Sequence, residues 1–323
     1  MSQAPNIDGV LIQWGDRLFY PGNRIVRGQA LPKLRGLSTT GRAEAIRARI
    51  EATVVRRVPQ VMVKVTGGGR GLKAIAAHFR YISKNGRLEI EDERGEKVRG
   101  KDAVHELTDD WRFGGTLIDD ISPRREAFNI MLSMPRGTDP LAVQRAARGF
   151  ARVELADHKY VMVLHDHQAN PHVHISVRAE SRDGKRLNPR KADLNRWRET
   201  FAQKLREWGI DAEATRQATR GQNQNYEPLW RIKAREDERL RSRGAASSSK
   251  SSARARTTRA QAAEAWGHVA RALAASGNKA DRDLALSISK FLKDMPAARM
   301  QHRPVRTTEI APLSKSIEID QHR

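Results

Sequence analysis

The sequence predicts an α+β fold in which helices flank an antiparallel sheet. Strand-like and helix-like segments alternate over residues 58–210. Two of the predicted strands, 159–165 and 172–179, are joined by a short link that contains Asn170 and Pro171, and this arrangement is typical of an antiparallel hairpin. A basic, partly disordered helical tail is expected after this domain because the composition there turns to Ser, Ala and Arg.

Each element is predicted from its own residue pattern. Runs of β-branched and apolar residues predict strands, and apolar residues that recur every three or four positions predict helices. The predicted elements, in order, are strand 58–65, helix 72–84, strand 87–92, helix 101–111, strand 127–135, helix 141–155, strand 159–165, strand 172–179 and helix 194–208.

Turn-forming residues separate these elements. Residues 67–69 are three glycines before the first helix, and they fit either a tight turn or a backbone cradle for phosphate at a helix start. Asn85 and Gly86 end that helix with residues that tolerate a left-handed backbone. Asp139 and Pro140 mark a helix start, because a capping side chain precedes a proline at the first helical position.

The pattern divides the chain into four parts. Residues 1–57 show no sustained period and predict a poorly ordered, basic N-terminal extension with a short helix over 42–53. Residues 58–220 form the folded domain, and residues 221–260 form a charged, Ser- and Arg-rich linker that is unlikely to bury a core. Residues 261–323 form a short helical C-terminal region, in which two helices are predicted over 262–295.

Composition limits the possible functions. The 323 residues include 60 Lys and Arg against 38 Asp and Glu, and the resulting net charge of +22 favours a polyanionic partner, either nucleic acid or an anionic membrane surface. The sequence contains no Cys, which excludes cysteine-held metals, disulfides and cysteine nucleophiles. No apolar run reaches the ~18 residues of a membrane span, and no secretory signal is apparent at the N-terminus.

A histidine cluster is the strongest chemical signal in the sequence. Side chains alternate across a strand, so His172 and His174 share a face, and a hairpin brings His165 beside them. Three imidazoles around one point can bind a divalent metal and leave positions open for substrate. Mn²⁺, hydrated Mg²⁺, Zn²⁺, Co²⁺ and Ni²⁺ all remain open on this pattern, and a structural role for these histidines is the alternative.

A metal on a basic chain suggests phosphodiester chemistry, in which the nucleophile is water, Ser or Tyr. Of four tyrosines, Tyr81 stands apart because it follows a Gly-rich loop on a basic helix, with Arg80, Lys84 and Arg87 nearby. Neighbouring cations lower the cost of forming the phenolate that such a nucleophile needs. The alternative is an ordinary aromatic residue at the edge of the core.

Three blocks, in this order, resemble the relaxase or mobilisation nuclease family of conjugative DNA transfer, and most of all the T-DNA border endonuclease type. The blocks are HFRYISKNGRLEI (78–90), NIMLSMPRGTDP (129–140) and HDHQANPHVHISV (165–177). The resemblance covers residues 58–220 and implies the palm fold of the HUH endonuclease superfamily. It also implies metal-dependent nicking through a 5′-phosphotyrosyl intermediate, with Tyr81 as nucleophile and His165, His172 and His174 as metal ligands.

One position departs from the family pattern. The family usually carries Asp two residues after its first histidine, where this chain has His167. His167 is therefore either a general base or a surface residue. An acid elsewhere could replace the missing carboxylate, and the candidates are Glu154, Asp157 and the acidic residues of 89–93.

The resemblance also implies cofactors, partners and a location. Mg²⁺ or Mn²⁺ is the expected ion. Single-stranded DNA at an origin of transfer is the expected substrate, with accessory relaxosome proteins and a type IV secretion coupling protein as partners and no membrane insertion. The expected location is the bacterial cytoplasm, with export of the protein on its DNA into a recipient cell. The C-terminal region is a candidate docking segment or secretion signal.

Further DNA contacts are expected after the histidine strand. The loop there is basic, and its candidate backbone contacts are Lys185, Arg186, Arg190 and Lys191. Trp197 and Trp208 fit base stacking, but their helical spacing with Phe201 favours the core.

Three other functions fit parts of the pattern. A rolling-circle replication initiator or single-strand transposase shares the His-x-His strand, but in many such enzymes the tyrosine follows the histidines, whereas Tyr81 precedes them. A basic single-strand-binding accessory protein would have structural histidines and no metal. A hydrolase that uses water would nick DNA without forming a covalent adduct.

Overall fold

A computed structural model of the protein describes residues 6–20, 37–167, 170–221 and 253–295. Within them lies one six-stranded sheet in the order β1-β4-β6-β5-β2-β3, with neighbouring strands antiparallel. The α+β fold with an antiparallel sheet is therefore confirmed. The strands are β1 (Met62–Gly67), β2 (Ile90–Asp92), β3 (Lys97–Val98), β4 (Ala127–Ser133), β5 (His158–His165) and β6 (His172–Ser181).

Helices cover both sides of this sheet, and four further helices form a separate layer. The helices of the described residues are α1 (Ile7–Phe19), α2 (Thr39–Val54), α3 (Leu72–Ile82), α4 (Lys101–Phe113), α5 (Pro140–Glu154), α6 (Lys191–Glu207), α7 (Ala253–Ala274) and α8 (Lys279–Asp294). The helices predicted over 72–84, 101–111, 141–155 and 194–208 are all present, with ends shifted by a few residues.

Two strands are shorter than their residue pattern predicts, because their ends pair elsewhere. Residues 58–61 lie beside Glu213, whose carbonyl oxygen accepts from the backbone N–H of Val61 at 2.9 Å, so β1 begins only at Met62. The backbone N–H of Leu88 donates to the carbonyl of Ser83 at 2.9 Å, which keeps residues 87–89 with the end of α3 and leaves β2 three residues long.

The sheet has two different faces because its residues alternate. We call one the apolar face, and it packs against α5 and α6. Its members in β4 and β6 are Ile130, Leu132, Val173, Ile175 and Val177. We call the other the histidine face, and α3 and α4 pack on the part of it formed by Ile90, Val161 and Val163. Its polar members in β5 and β6 are His165, His172, His174, Ser176 and Arg178.

The N-terminal segment is helical where the structure describes it, which corrects the prediction of a poorly ordered extension over 1–57. Helix α1 and helix α2 pack with α7 and α8 around one apolar cluster that includes Leu11, Ile46 and Trp266. Only the short helix expected over 42–53 was predicted, and it corresponds to α2. Residues 1–5 and 21–36 lie outside the described residues.

Buried polar contacts join this helical layer to the sheet domain. The guanidinium of Arg49 in α2 lies between two carboxylates, with Nη2 2.6 Å from Glu199 of α6 and Nε 3.1 Å from Glu213. The indole N–H of Trp266 in α7 donates to the carbonyl of Thr219 at 2.7 Å. Helices α2 and α7, from opposite sides of the sheet domain in sequence, therefore both contact residues 213–219.

The C-terminal prediction holds in part. Two helices occur near 262–295 as expected, and Leu284, Ile288, Phe291 and Leu292 of α8 contact the shared cluster. Helix α7 begins at Ala253, inside the predicted linker, while residues 222–252 and 296–323 lie outside the described residues. No helix of the described ranges has the length and apolar character that crossing a membrane requires.

Candidate active site

The β5–β6 hairpin brings the three predicted metal ligands together. His165 lies opposite His172 in the ladder, and His174 lies opposite Val163, so all three rings lie on the histidine face. The ring centroids are 4.6–5.0 Å apart, and one nitrogen from each ring lies within 4.8 Å of the others. All three side chains are buried. The geometry therefore permits three imidazole nitrogens to converge on one ion.

Backbone carbonyls orient two of these rings. Nε2 of His165 is 2.7 Å from the carbonyl oxygen of Ile82, at the end of α3. Nδ1 of His172 is 2.9 Å from the carbonyl oxygen of Asn170. Because a carbonyl only accepts, each of these nitrogens carries the proton, and the other nitrogen of each ring presents a lone pair. Such an outer acceptor is the usual way in which a metal-binding imidazole is held in place.

The protonation states of the rings also suit a metal. Burial lowers the pKa of His174 to about 3 and lowers the pKa of His165 below its usual value. Both rings are therefore neutral near pH 7, which is the form that binds a metal. Nδ1 of His165, whose Nε2 carries the proton, is buried and has no hydrogen-bond partner in the described residues. A divalent ion fits this set of donors.

Tyr81 lies in the last turn of α3, beside the histidines. Its ring centroid is 6.4 Å from that of His174, and its side chain is 70% exposed, so solvent-side substrate can reach it. The helix ends directly after it, and Lys84 and Asn85 both have left-handed backbone conformations, with φ of 51° and 58°. This confirms the turn that was predicted at Asn85 and Gly86.

Comparison with known proteins agrees with this geometry. Residues 81–210 match the family model described as relaxase, MobA/VirD2-like, nuclease domain. This part of the chain is therefore similar to a MobA/VirD2-like relaxase nuclease domain. The T-DNA border endonuclease VirD2 of Agrobacterium fabrum (strain C58 / ATCC 33970) is 26% identical over a match of 182 residues that covers 50% of this chain. The match covers 41% of that relative's length.

The candidate site contains a fourth histidine, to which the residue pattern alone assigns no role. The ring centroid of His78 lies 6.1 Å from that of Tyr81 and 6.4 Å from that of His174. Burial lowers the pKa of His78 to about 4, and its Nε2 is buried with no partner in the described part of the chain. The helical spacing offered a signal, because residues three positions apart lie on the same side of a helix.

None of the proposed replacements for the usual aspartate lies at the three histidines. Glu91 lies opposite Met162 on the apolar face, and its carboxylate is 2.6 Å from Nη2 of Arg148. Glu154 accepts from Arg196 at 2.8 Å, on the side of the sheet where α5 packs against α6. Asp157 precedes β5, at the end of that strand opposite to His165.

The other acidic residues of 89–93 also lie away from the site. Glu89 pairs with Lys97 at 2.7 Å, Asp92 accepts from backbone N–H groups of its own turn, and Glu93 lies beside Tyr160. Among the described residues, the group that could hold a metal therefore consists of imidazoles, with backbone carbonyls as their outer partners.

His167 lies close to this group without being part of it. Its ring centroid is 5.2 Å from that of His165, and its side chain is exposed at the tip of the hairpin, as is that of Asp166. A role as general base stays a prediction for His167.

The two groups of predicted DNA contacts lie in different places. Arg80, Lys84 and Arg87 are exposed around the end of α3, next to Tyr81. The second group, Lys185, Arg186, Arg190 and Lys191, follows the far end of β6. Arg186 forms an antiparallel bridge with Glu180, six residues along β6 from His174, which corresponds to roughly 20 Å. The structure therefore does not place Arg186 at the three histidines, and the DNA contacts of this group stay a prediction.

Cations of the second group also form salt bridges with neighbouring carboxylates. The ammonium of Lys185 is 2.6 Å from Asp183, and Arg186 bridges Glu126 at 3.3 Å and Glu180 at 3.1 Å. These cations are thus already partly neutralised by carboxylates of the same surface.

The two tryptophans that fit base stacking lie in different environments. Trp197 is buried in the core, as expected, in edge contact with Phe150. Trp208 is half exposed beneath the guanidinium of Arg145, so its assignment to the core is wrong. At the Gly-rich segment, a Cβ on Gly68 would lie 2.2 Å from the carbonyl oxygen of Ala127, and the backbone N–H of Gly69 donates to that oxygen at 3.1 Å, so this N–H is not free for a phosphate.

Proposed function

We propose that this relaxase domain nicks single-stranded DNA at an origin of transfer and later rejoins the strand, through a covalent 5′-phosphotyrosyl intermediate. The observation that carries the proposal is the position of Tyr81. Its ring lies 6.4 Å from His174, one of three converging imidazoles, and it is exposed. A candidate nucleophile and a candidate metal centre from separate parts of the chain thus lie side by side.

A divalent ion held by His165, His172 and His174 would polarise the scissile phosphate and neutralise charge on its oxygens. Mg²⁺ and Mn²⁺ are the expected ions. Imidazole nitrogen is a better ligand for Mn²⁺ than for Mg²⁺, which prefers oxygen donors. We therefore expect Mn²⁺ to bind this centre more tightly than Mg²⁺.

The reaction is a phosphoryl transfer in which one ester replaces another. The oxygen of Tyr81 attacks phosphorus and loses its proton, the new P–O bond joins the tyrosine to the 5′ side, and the bond to the 3′ oxygen breaks. The 3′ oxygen leaves with a proton taken up from solvent. Because the tyrosyl ester keeps a phosphodiester bond, attack by a later 3′ hydroxyl reverses the reaction and reseals the strand.

The cations at the end of α3 fit this reaction. Arg80, Lys84 and Arg87 are exposed around the end of α3, which carries Tyr81, and positive charge there attracts the DNA backbone. These residues can act on any sequence, so the choice of the nick site rests on other contacts.

The biological setting follows from the family and from the relative. VirD2 is named for T-DNA border cleavage, and we infer an equivalent task here in conjugative or mobilised DNA transfer. Relaxosome proteins and a type IV coupling protein are the partners this task requires. The protein then works in the bacterial cytoplasm and leaves it bound to DNA.

The test is a covalent adduct assay with purified protein, Mn²⁺ or Mg²⁺, and labelled single strands that span candidate origins. We expect a protein–DNA adduct that survives denaturing electrophoresis, and its loss in Tyr81→Phe. Tyr160→Phe is the matched control, because Tyr160 lies on the apolar face and should leave the adduct intact.

The same assay separates the alternatives. Nicking without an adduct would support a hydrolase that uses water. Binding without nicking or stoichiometric metal would support an accessory protein. An adduct that persists in Tyr81→Phe would contradict the proposal, and an adduct specific to replication origins would support an initiator of the same superfamily.

A further inference from the structure

Two of the three candidate metal ligands have an evident outer partner, and the third does not. The carbonyls of Ile82 and Asn170 accept from His165 and His172, respectively. For His174, the described residues provide no such carbonyl, and its Nδ1 is buried and unpaired. Since ligand imidazoles are nearly always oriented through their second nitrogen, something else should hold His174.

His78 is the side chain in position to do so. Its ring lies 6.4 Å from that of His174, at an interplanar angle of 76°, and its Nε2 is also buried and unpaired in the described residues. Buried polar atoms almost always find a partner, so two unpaired nitrogens on neighbouring rings require an explanation. A hydrogen bond between the two rings would satisfy both nitrogens.

We propose that His78 is the positioning residue of His174. Nδ1–H of His174 donates to the lone pair on Nε2 of His78, either after a rotation of the His78 ring or through one bridging water. Nε2 of His174 is then left to face the ion. The inference rests on the metal site of the proposed function and goes beyond it, because it assigns an outer partner that is itself a histidine.

The chemistry of the pair is consistent with this role. A neutral imidazole has one N–H and one lone pair, so two neutral rings can act as donor and acceptor. The space around both rings disfavours a charge, since burial lowers the pKa of each of them. A side chain that offers an acceptor at the place of Nε2 should therefore replace His78, and an apolar one should not.

With this assignment, helix α3 both carries the nucleophile and orients two of the metal ligands. The helix carries the nucleophile Tyr81, its last residue supplies the carbonyl that orients His165, and His78 orients His174. Nucleophile and two metal ligands are thus positioned by a single element, which keeps the attacking oxygen in register with the ion.

The test compares two variants of the full chain, His78→Leu and His78→Gln, by titration with Co²⁺ or Mn²⁺. We expect His78→Leu to bind the ion about 10–100-fold more weakly, as is usual when an outer partner of a metal ligand is lost. In His78→Gln, the amide oxygen reaches the position of Nε2, and we expect most of the affinity to return. His105→Leu is the matched control. His105 is an exposed histidine of α4, so its replacement should leave the metal affinity unchanged.

A second measurement uses the metal-free protein. The ring nitrogens of ¹⁵N-labelled histidine report which nitrogen carries the proton, and we expect His174 to be protonated at Nδ1 in the wild-type protein and in His78→Gln. Thermal unfolding of each metal-free variant shows whether it is folded.

The proposal is overturned if His78→Leu binds the ion as tightly as the wild type, if His78→Gln is as weak as His78→Leu, or if the wild type binds no ion. None of these readouts involves DNA. Failure of the adduct assay with intact metal binding would therefore count against the proposed nicking and leave the role of His78 standing.

Discussion

The two faces of the sheet are formed by the same strands but differ in character: one packs apolar side chains, and the other brings histidines together. Along β6, Val173, Ile175 and Val177 point toward α5 and α6 and are fully buried among apolar neighbours. The residues between them, His172 and His174, point to the other face, where their nitrogens converge. A single strand thus supplies stability through one set of alternate residues and candidate chemistry through the other.

The two faces also differ in whether their buried polar atoms have hydrogen-bond partners. The apolar face places hydrocarbon against hydrocarbon, which contributes roughly 25 cal/mol for each Å² buried. The histidine face buries Nδ1 of His165, Nδ1 of His174 and Nε2 of His78 without partners in the described residues. Burying such atoms unpaired costs stability. An ion would recover that cost at His165, and the proposed hydrogen bond between His174 and His78 would recover it at the other two nitrogens.

The largest expected effect separates chemistry from stability on β6. His172→Ala removes one of three ligand nitrogens, so we expect metal affinity to fall by more than about 100-fold, because the loss of even an outer partner costs about 10–100-fold. Adduct formation should fall with it. His158→Ala, at the other end of the hairpin, is the control and should leave metal affinity unchanged. Isothermal titration with Mn²⁺ measures the metal affinity of both variants. If His172→Ala binds the ion as tightly as His158→Ala, His172 is not a ligand.

The next effect concerns the apolar face. Phe150 of α5 is fully buried in edge contact with Trp197 and Phe201. Truncation leaves a large cavity, so we expect Phe150→Ala to lower the free energy of unfolding by about 3–5 kcal/mol. Urea unfolding measures this loss. Metal affinity without denaturant should stay as in the wild type, and a parallel loss of metal binding would show that the two faces are coupled.

The smallest effect is the response of the metal-free protein to acid. Burial lowers the pKa of His78 to about 4 and of His174 to about 3, whereas unfolded histidine titrates near 6.5. Between about pH 6.5 and pH 4 the unfolded chain therefore binds more protons, so stability falls as the pH falls through this range. Urea unfolding at pH 7.5 and pH 5 should show the decrease.

The His78→Leu variant serves as the comparison for this pH effect. It removes one of the low-pKa imidazoles, so its stability should depend less on pH over the same range. An identical pH dependence in both proteins would mean that the imidazole of His78 titrates in the folded state much as it does in the unfolded chain.

The sheet domain and the helical layer differ in how well their sequences predict them. Helix α3, helix α5 and the β5–β6 hairpin all lie where the residue pattern predicts them, because each buries its apolar side against elements within the same domain. The residue pattern does not predict helix α1. Its apolar residues contact α7, more than 230 positions later, and no local pattern identifies such a partner.

The candidate site shows the same division. The spacing of His165, His172 and His174 was enough to predict that they share a face, because strand alternation and a hairpin are local features. The part played by Ile82, whose carbonyl belongs to a residue with no polar side chain, has no signature in sequence. The place of Lys185 was predicted from its closeness in sequence to the histidine strand, but that strand runs away from the site.

By itself, the sequence determined the α+β class, the alternation of the strands, the three histidines and Tyr81, since these follow from periods of about two and 3.6 residues and from residue type. Tertiary structure alone decided that α1 and α2 join α7 and α8, that backbone carbonyls accept from His165 and His172, and that His78 lies beside His174. Those contacts depend on how distant segments pack, and packing across the chain leaves no trace in local periodicity.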